Sequence, residues 1–294
     1  MADPLPLHRP GGSGPPLFSR IAVIGLGLIG GSVALAARRR WPDALVIGVD
    51  RKDIVERAMI LHAIDVGADD LGMASEADLI VLAAPVREIC RLLESGLSEV
   101  VAQEAVVTDV GSTKAVVIRA AAGLPAHVHF IGGHPLAGAA AGGLEHARID
   151  LFAGRPWCLC PGPTGNLHRV DGFVQELGAT PKVLDADVHD RLVAFLSHLP
   201  QLAASVLMDI VGEAVGEEGL ALAGRGLQDT TRLASSPSDI WKDTCATNAA
   251  PIEEALDRLI ARLQELRAGL NDEDLIERVF ASAQEWKRRM PPRT

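Results

Sequence analysis

Residues 20 to 50 restrict the fold of this chain more than any other stretch. Arg20-Ile-Ala-Val-Ile-Gly25 is a short apolar run of the kind used by strands buried on both faces. It passes directly into Gly25-Leu26-Gly27-Leu28-Ile29-Gly30, and a helical run from Val33 to Arg40 follows. In this strand-to-helix setting each glycine has a job. The first makes the turn, the second lets a pyrophosphate approach the backbone, and the third lets the helix pack on the strand. The pyrophosphate then rests on the helix N-terminus. A second strand, Ala44–Val49, ends in Asp50, twenty residues after Gly30. A carboxylate there can accept a hydrogen bond from the adenosine ribose 2′-OH. The spacing thus predicts a dinucleotide site on Gly25, Gly27, Leu28, Ile29, Gly30 and Asp50. Asp50 favours NAD, because a 2′-phosphate would meet a carboxylate. Arg51 follows at once and is placed to partner that phosphate if Asp50 turns away, so NADP stays open.

The strand–helix alternation continues. Helix Ile54–His62 precedes strand Asp78–Ala83, which ends Ala83-Ala84-Pro85. Ligands in such folds lie across the carboxyl ends of the strands, so Ala84 and Pro85 are expected to line the cofactor. Helix Val86–Ala102 and strand Ala105–Thr108 lead to Asp109-Val110-Gly111-Ser112-Thr113-Lys114. Ser112 reads as a helix N-cap, in a place from which it also reaches the nicotinamide and a substrate. Strand Val128–Ile131 then delivers Gly132-Gly133-His134-Pro135-Leu136-Ala137-Gly138 to the same edge. These seven residues read as a tight turn. Glycines admit unusual dihedrals, proline fixes the bend, and a histidine so held can exchange a proton near neutral pH. Alone, the segment is equally well a plain connection with a surface histidine. The nucleotide fingerprint upstream puts His134 beside the nicotinamide. Strand Arg155–Cys160, helix Leu167–Leu177 and strand Pro181–Leu184 complete a doubly wound α/β domain over residues 19–184, after a Pro- and Gly-rich tail, residues 1–18, that reads as disordered.

Residues 185–294 read as all helical. The apolar window Val188–Val211 contains Asp190, Arg191, His198, Pro200, Gln201 and Asp209, and so reads as a core helix and not a membrane span. Pro200 is expected to bend it. On spacing alone, His198 is a histidine on a packed helix and Arg232 a solvated surface arginine. Ser236-Pro237-Ser-Asp239 starts another helix. Ile252, Leu256, Leu259, Leu263, Leu266 and Leu270 form a heptad seam, which suggests a homodimer through the C-terminal helices. Asn271-Asp272-Glu273 caps the last helix.

Two domains suit a chain of 294 residues. With 38 acidic against 28 basic residues and no basic block, nucleic acid is not an expected partner. Cys158-Leu-Cys160 puts two thiols on one side of a strand without a second Cys or His pair, a buried structural pair and not a zinc site. Few cysteines and no secretory segment suggest the cytoplasm.

A histidine at the edge of a nicotinamide site suits oxidation of a carbinol: hydride leaves the carbon and His134 takes the hydroxyl proton. Two-domain 3-hydroxyacid dehydrogenases share the plan but use a lysine on the helix after the junction, and no lysine occurs between Lys182 and Lys242. A non-catalytic dinucleotide-binding redox sensor is the reading from another class.

The segments Gly25-Leu-Gly-Leu-Ile-Gly-Gly-Ser32, Asp109-Val-Gly-Ser-Thr-Lys114, Gly132-Gly-His-Pro-Leu-Ala-Gly138, Ser197-His-Leu-Pro-Gln201 and Asp229-Thr-Thr-Arg232 with Trp241 together resemble the prephenate/arogenate (cyclohexadienyl) dehydrogenases of tyrosine biosynthesis. The resemblance implies a dinucleotide domain followed by a helical dimerisation domain, and NAD-dependent oxidative decarboxylation of an anionic cyclohexadienyl substrate. It implies that His134 takes the ring hydroxyl proton, with Ser112 between hydroxyl, His134 and nicotinamide. It also implies that Arg232 pairs with a substrate carboxylate, that His198 contacts the side-chain end, and that Asp229 and Trp241 shape the pocket. Many prephenate-using members carry Thr-Glu-x-Ser-Gly just after the histidine segment. This chain has Ala139-Ala140-Ala141-Gly142-Gly143, similar to arogenate-using members.

Overall fold

The computed structural model describes residues 16–291 apart from 98, 99, 103, 139, 140 and 163–165. The tail before residue 16 and the Ala139-Ala140 pair therefore lie outside the described residues. By contact the chain divides into two units: one runs to Asp190 and takes back Ser236–Thr247, and the other comprises Arg191–Ser235 and Asn248 onward.

The first unit is built on β1 (Arg20–Ile24), α1 (Leu28–Arg40), β2 (Leu45–Val49), α2 (Lys52–Ile60), β3 (Val66–Ala68), β4 (Leu79–Leu82), α3 (Val86–Arg91), β5 (Val106–Asp109), α4 (Ala115–Ala121), β6 (His129–Pro135), β7 (Pro156–Pro161), α5 (Leu167–Glu176), β8 (Thr180–Val183) and α6 (Ala186–Val193), whose last residues pass into the second unit. The strands form one sheet in the order β3-β2-β1-β4-β5-β6-β7-β8. The first six follow the 3-2-1-4-5-6 order of dinucleotide-binding folds, all parallel. The chain switches direction between β1 and β4, which opens the ligand crevice at their carboxyl ends. The strands are apolar throughout because helices cover both faces. On one face Ala34 and Ala37 of α1 and Val170, Phe173 and Val174 of α5 pack on the sheet. On the other, Ile89 of α3 and Val117 and Ala121 of α4 do so.

Several sequence expectations are corrected. The Gly132-Gly133-His134-Pro135 segment is not a turn but the last part of β6. It pairs antiparallel with β7, His134 opposite Cys158. Its glycines are needed for space: a Cβ on Gly133 would stand 2.4 Å from the Asp109 carbonyl oxygen. The predicted helix Val86–Ala102 is α-helical only to Arg91 and continues as a wide π turn, Leu92–Gly96. β3, three residues long, was too short to show a period. Ser112 is not an N-cap: α4 starts at Ala115 and is capped from elsewhere, as described below.

The second unit holds α7 (Leu199–Leu220), α8 (Arg225–Thr230), α10 (Ala249–Ala268) and α11 (Glu273–Arg289); α9 (Ser238–Thr247) belongs to the first. A π turn, Ala194–His198, precedes α7 and places Pro200 in its first turn, where a missing N–H costs least. The bend expected at Pro200 is thus absorbed before it, and a sharper break falls at Gly216, whose φ of 59° suits glycine. The expectation of a core helix does not hold in a single chain: Val206, Leu207, Ile210 and Val215 are exposed. The heptad seam is likewise split. Ile252 is buried, Leu263 is exposed, and Leu270 lies beyond α10. Asp272 caps α11 by accepting a hydrogen bond from the Leu275 amide at 3.0 Å.

Candidate active site

Among the helices that begin at the carboxyl edge of the sheet, the N-termini of α1, α3 and α4 differ. Lys114 N and Ala115 N at the start of α4 donate to the Asp190 carboxylate, at 2.7 and 2.8 Å. Val86 N at the start of α3 donates to Asp243 at 2.6 Å, and the Arg87 guanidinium joins the same carboxylate at 2.8 Å. These bonds tie residues 186–190 and 236–247 to the sheet, so by contact the first unit extends beyond residue 184 and takes back α9. α1 has Gly27 as its N-cap, no side chain bonded there and no acidic residue in its first turn. An anion is therefore admitted at α1 alone of the three.

The glycines around that terminus fit a dinucleotide. Gly25 has φ 97°, and a Cβ on it would lie 2.5 Å from the Ala83 carbonyl. A Cβ on Gly30 would lie 1.9 Å from the Gly25 carbonyl, so α1 packs closer than any side chain allows. A Cβ on Gly27 meets nothing within 4 Å; this is the open side, where a ligand approaches. Leu28 and Ile29 supply the first turn of α1 while their side chains pack against the core. A cleft of about 450 Å³ runs past Gly25, Gly27, Asp50, Ala84 and Pro85. Asp50 accepts hydrogen bonds from Leu26 N at 2.6 Å and Arg51 N at 2.7 Å, which locks it beside the glycine loop. Asp69 and Asp70 line the same cleft, and sequence reasoning missed both because β3 before them was not recognised. Arg51 does not line it; its guanidinium points to Asp53, at 3.5 Å.

A connected polar network lies at the ends of β5 and β6. Lys114 is fully buried, and its ammonium pairs with Asp109 and donates to the Gly133 carbonyl at 2.8 Å. Asp109 also accepts from Gly111 N at 2.8 Å and Gly133 N at 3.0 Å. The backbone just before His134 is thus clamped from both its N–H and its C=O. The half-buried His134 ring shares a hydrogen bond with buried His189, Nδ1 to Nε2 at 2.9 Å. His189 Nδ1 in turn lies 2.8 Å from Asp190 Oδ1. Ser112 sits past the end of the neighbouring strand, half-buried, with its Oγ 3.2 Å from Thr244 Oγ1. Trp241 is half-buried in α9 of this unit. Cys158 and Cys160 are buried in β7, and desolvation pushes the Cys160 thiol up to about 12 and raises Cys158 as well. Both are protonated, unreactive groups at neutral pH.

The remaining expected residues belong to the second unit. His198 is buried, and Asn248 stands 3.2 Å from its Nδ1. An amide nitrogen can only donate, so in this bond Nδ1 accepts and the His198 proton sits on Nε2. Asn248 carried no signal in the sequence. Asp229 lies in α8 and Arg232 just after it, both exposed. Among the described residues no carboxylate pairs with Arg232, so its guanidinium is available to an incoming one.

Similarity to known proteins runs along nearly the whole chain. Residues 33–183 match the family model described as prephenate dehydrogenase, nucleotide-binding domain, and residues 185–282 match the prephenate dehydrogenase dimerization domain. A cyclohexadienyl dehydrogenase from Zymomonas mobilis is 32% identical over 88% of this chain and 90% of its own length. Prephenate dehydrogenase from A. aeolicus, solved with hydroxyphenyl propionate and NAD+, superposes with a TM-score of 0.82 at 26% identity, covering 92% of this chain and 98% of that one. Arogenate dehydrogenase from Synechocystis gives 0.78 at 27% identity, covering 92% and 100%.

Proposed function

This chain belongs to the prephenate dehydrogenase family, and we propose from that premise that it oxidises and decarboxylates prephenate, arogenate or both, in tyrosine biosynthesis. The observation that carries the reading is His134 held at the end of β6, one strand from Ser112 and on the sheet edge that bears the dinucleotide cradle. Bound NAD supplies the hydride acceptor. The Gly25–Gly30 loop and the uncapped start of α1 hold its pyrophosphate, and Asp50, Asp69 and Asp70 face its adenosine end. Three carboxylates there repel a 2′-phosphate, so NAD is used in preference to NADP.

His134 takes the proton from the ring hydroxyl as hydride departs, and Ser112 orients that hydroxyl. Loss of carbon dioxide sends its bonding electrons into the ring, which becomes a phenolate, and the proton held by His134 is returned to the phenolate oxygen. No net proton is consumed. Arg232 binds a substrate carboxylate, since a guanidinium grips one through two parallel hydrogen bonds. His198 offers Nε2–H to the side-chain end, and Asp229 and Trp241 shape the pocket. The absence of a carboxylate among Ala139-Ala140-Ala141-Gly142-Gly143 supports arogenate as a substrate by its pattern.

The protein works as a homodimer through its C-terminal helices. The run Ala186–Leu220 is long and apolar enough to cross a membrane by length and composition. Its π turn, its break at Gly216 and the role of its first turns in capping α4 support a different use. Val206, Ile210, Leu263 and Phe280 are exposed in a single chain, and a second copy covers such a surface. The reaction and the free thiols Cys90, Cys158, Cys160 and Cys245 fit the cytoplasm.

Purified protein assayed with prephenate and arogenate, each with NAD and NADP, is expected to reduce NAD with at least one substrate. No reduction in any of the four mixtures would sink the reading. Arg232→Ala should raise the KM for the anionic substrate while leaving KM for NAD near its original value; an unchanged substrate KM removes Arg232 from carboxylate binding.

A further inference from the structure

We propose that His189 and Asp190 form a buried relay that sets the tautomer of His134 and shares the charge His134 gains during turnover. The inference rests on His134 being the base, as read above. Neither residue carried a sequence signal for this role: both sit in α6, fifty-five and fifty-six positions after His134.

The logic runs outward from Asp190. Its carboxylate accepts from Lys114 N and Ala115 N and lies 2.8 Å from His189 Nδ1. An ionised carboxylate only accepts, so His189 Nδ1 carries a hydrogen. Neutral His189 then has a lone pair on Nε2. That atom is 2.9 Å from His134 Nδ1, which must supply the hydrogen between them. His134 therefore bears its proton on Nδ1, and Nε2 is its basic nitrogen. The ring planes are twisted by 73° with centroids 5.1 Å apart, a geometry compatible with a hydrogen bond between the two ring nitrogens.

When Nε2 takes the hydroxyl proton, His134 becomes an imidazolium. Its Nδ1 proton can shift to His189 Nε2, which moves the positive charge next to Asp190. The shift reverses when the phenolate is protonated, so no atom or charge is left over. His189 is fully buried and Asp190 nearly so, and a short charge-bearing chain in such surroundings is strongly felt. The arrangement performs the orienting and charge-stabilising job of a buried carboxylate behind a catalytic histidine, with one more ring inserted. Two further charged or titratable groups described close to His134 are the Lys114–Asp109 pair at the end of β5 and Cys158 opposite it on β7. The first is a neutralised pair and the second a protonated thiol, so neither competes for the role.

His189→Phe keeps a planar ring, somewhat larger, and removes both nitrogens. We expect kcat to fall on the order of a hundredfold, with KM for NAD and substrate changed by no more than about twofold. The acid limb of the kcat/KM profile should move to lower pH, because protonated His134 loses its support; a merely structural role would leave that limb in place. His189→Gln retains an acceptor for the His134 Nδ1–H and should keep more activity than His189→Phe. Nitrogen-15 spectra of the imidazoles in the ligand-free protein give an independent readout. Wild-type His134 should be neutral with its hydrogen on Nδ1, and His189→Phe should lose that preference. A wild-type His134 protonated on Nε2 would overturn the relay, as would a His189→Phe enzyme with unaltered kcat and acid limb. Should the phenylalanine variant not fold, the glutamine variant and the wild-type spectrum decide. Wild-type inactivity with both substrates would overturn the proposed function, while the tautomer still decides the relay.

Discussion

His134→Asn is expected to lower kcat by about two to four orders of magnitude, the usual worth of a positioned general base. Asparagine has similar size and can hydrogen-bond, but it cannot accept a proton near neutral pH. The backbone at this position should not change, because Gly133 is held through Asp109 and Lys114 and β6 is paired with β7. Affinity for NAD should stay near that of the parent, since the cleft is lined from β1, β2, α3 and the segments after β1, β2, β3 and β4. Fluorescence titration with NADH and steady-state kinetics on the same preparation separate the two quantities. A variant that turns over at the parent rate would take His134 out of the mechanism.

Lys114→Met should destabilise the protein by about 3–5 kcal/mol, the cost of leaving a buried charge without its partner. Both Lys114 and Asp109 are fully inaccessible, so water cannot replace the ammonium. Methionine matches the length of the lysine stem, which leaves the lost charge and hydrogen bonds as the main change. The melting temperature should fall by on the order of 10 °C. Activity should fall as well, because the Gly133 carbonyl loses the donor that helps fix His134. Adding Asp109→Asn should recover part of the stability, since the uncompensated charge goes; recovery stays partial because Asp109 also serves the Gly111 and Gly133 amides. A Lys114→Met protein within about 1 kcal/mol of the parent would mean the pair is solvated in solution, against its burial here.

Much of the cofactor half of this molecule was legible in advance. Local sequence dictates it: the apolar β1, the glycine spacing and the acidic residue ending β2 lie within 31 residues and act on one another directly. What escaped notice there, Asp69 and Asp70, follows a three-residue strand too short for a pattern. The chemistry around His134 was legible only in part. Its segment was marked by composition, yet read as a turn, because glycines that serve for bending and glycines that serve for close packing look alike until the neighbouring chain is in place. Ser112 was given a capping role that Asp190 performs from 75 residues away. A long-range cap leaves no local trace.

The sequence by itself determined the class of fold and the dinucleotide, and it singled out His134 as the base proposed above. Each depends on residues close along the chain or on motifs whose chemistry admits few substitutes. Only the tertiary structure showed what clamps the His134 backbone, which ring stands behind it, and which of the helix N-termini beside it are closed by a carboxylate. Those are matters of which distant carboxylate reaches which donor. Asp190 and Asp243 close the starts of α4 and α3 and leave that of α1 uncapped, and that choice exists only once α6 and α9 are packed against the sheet.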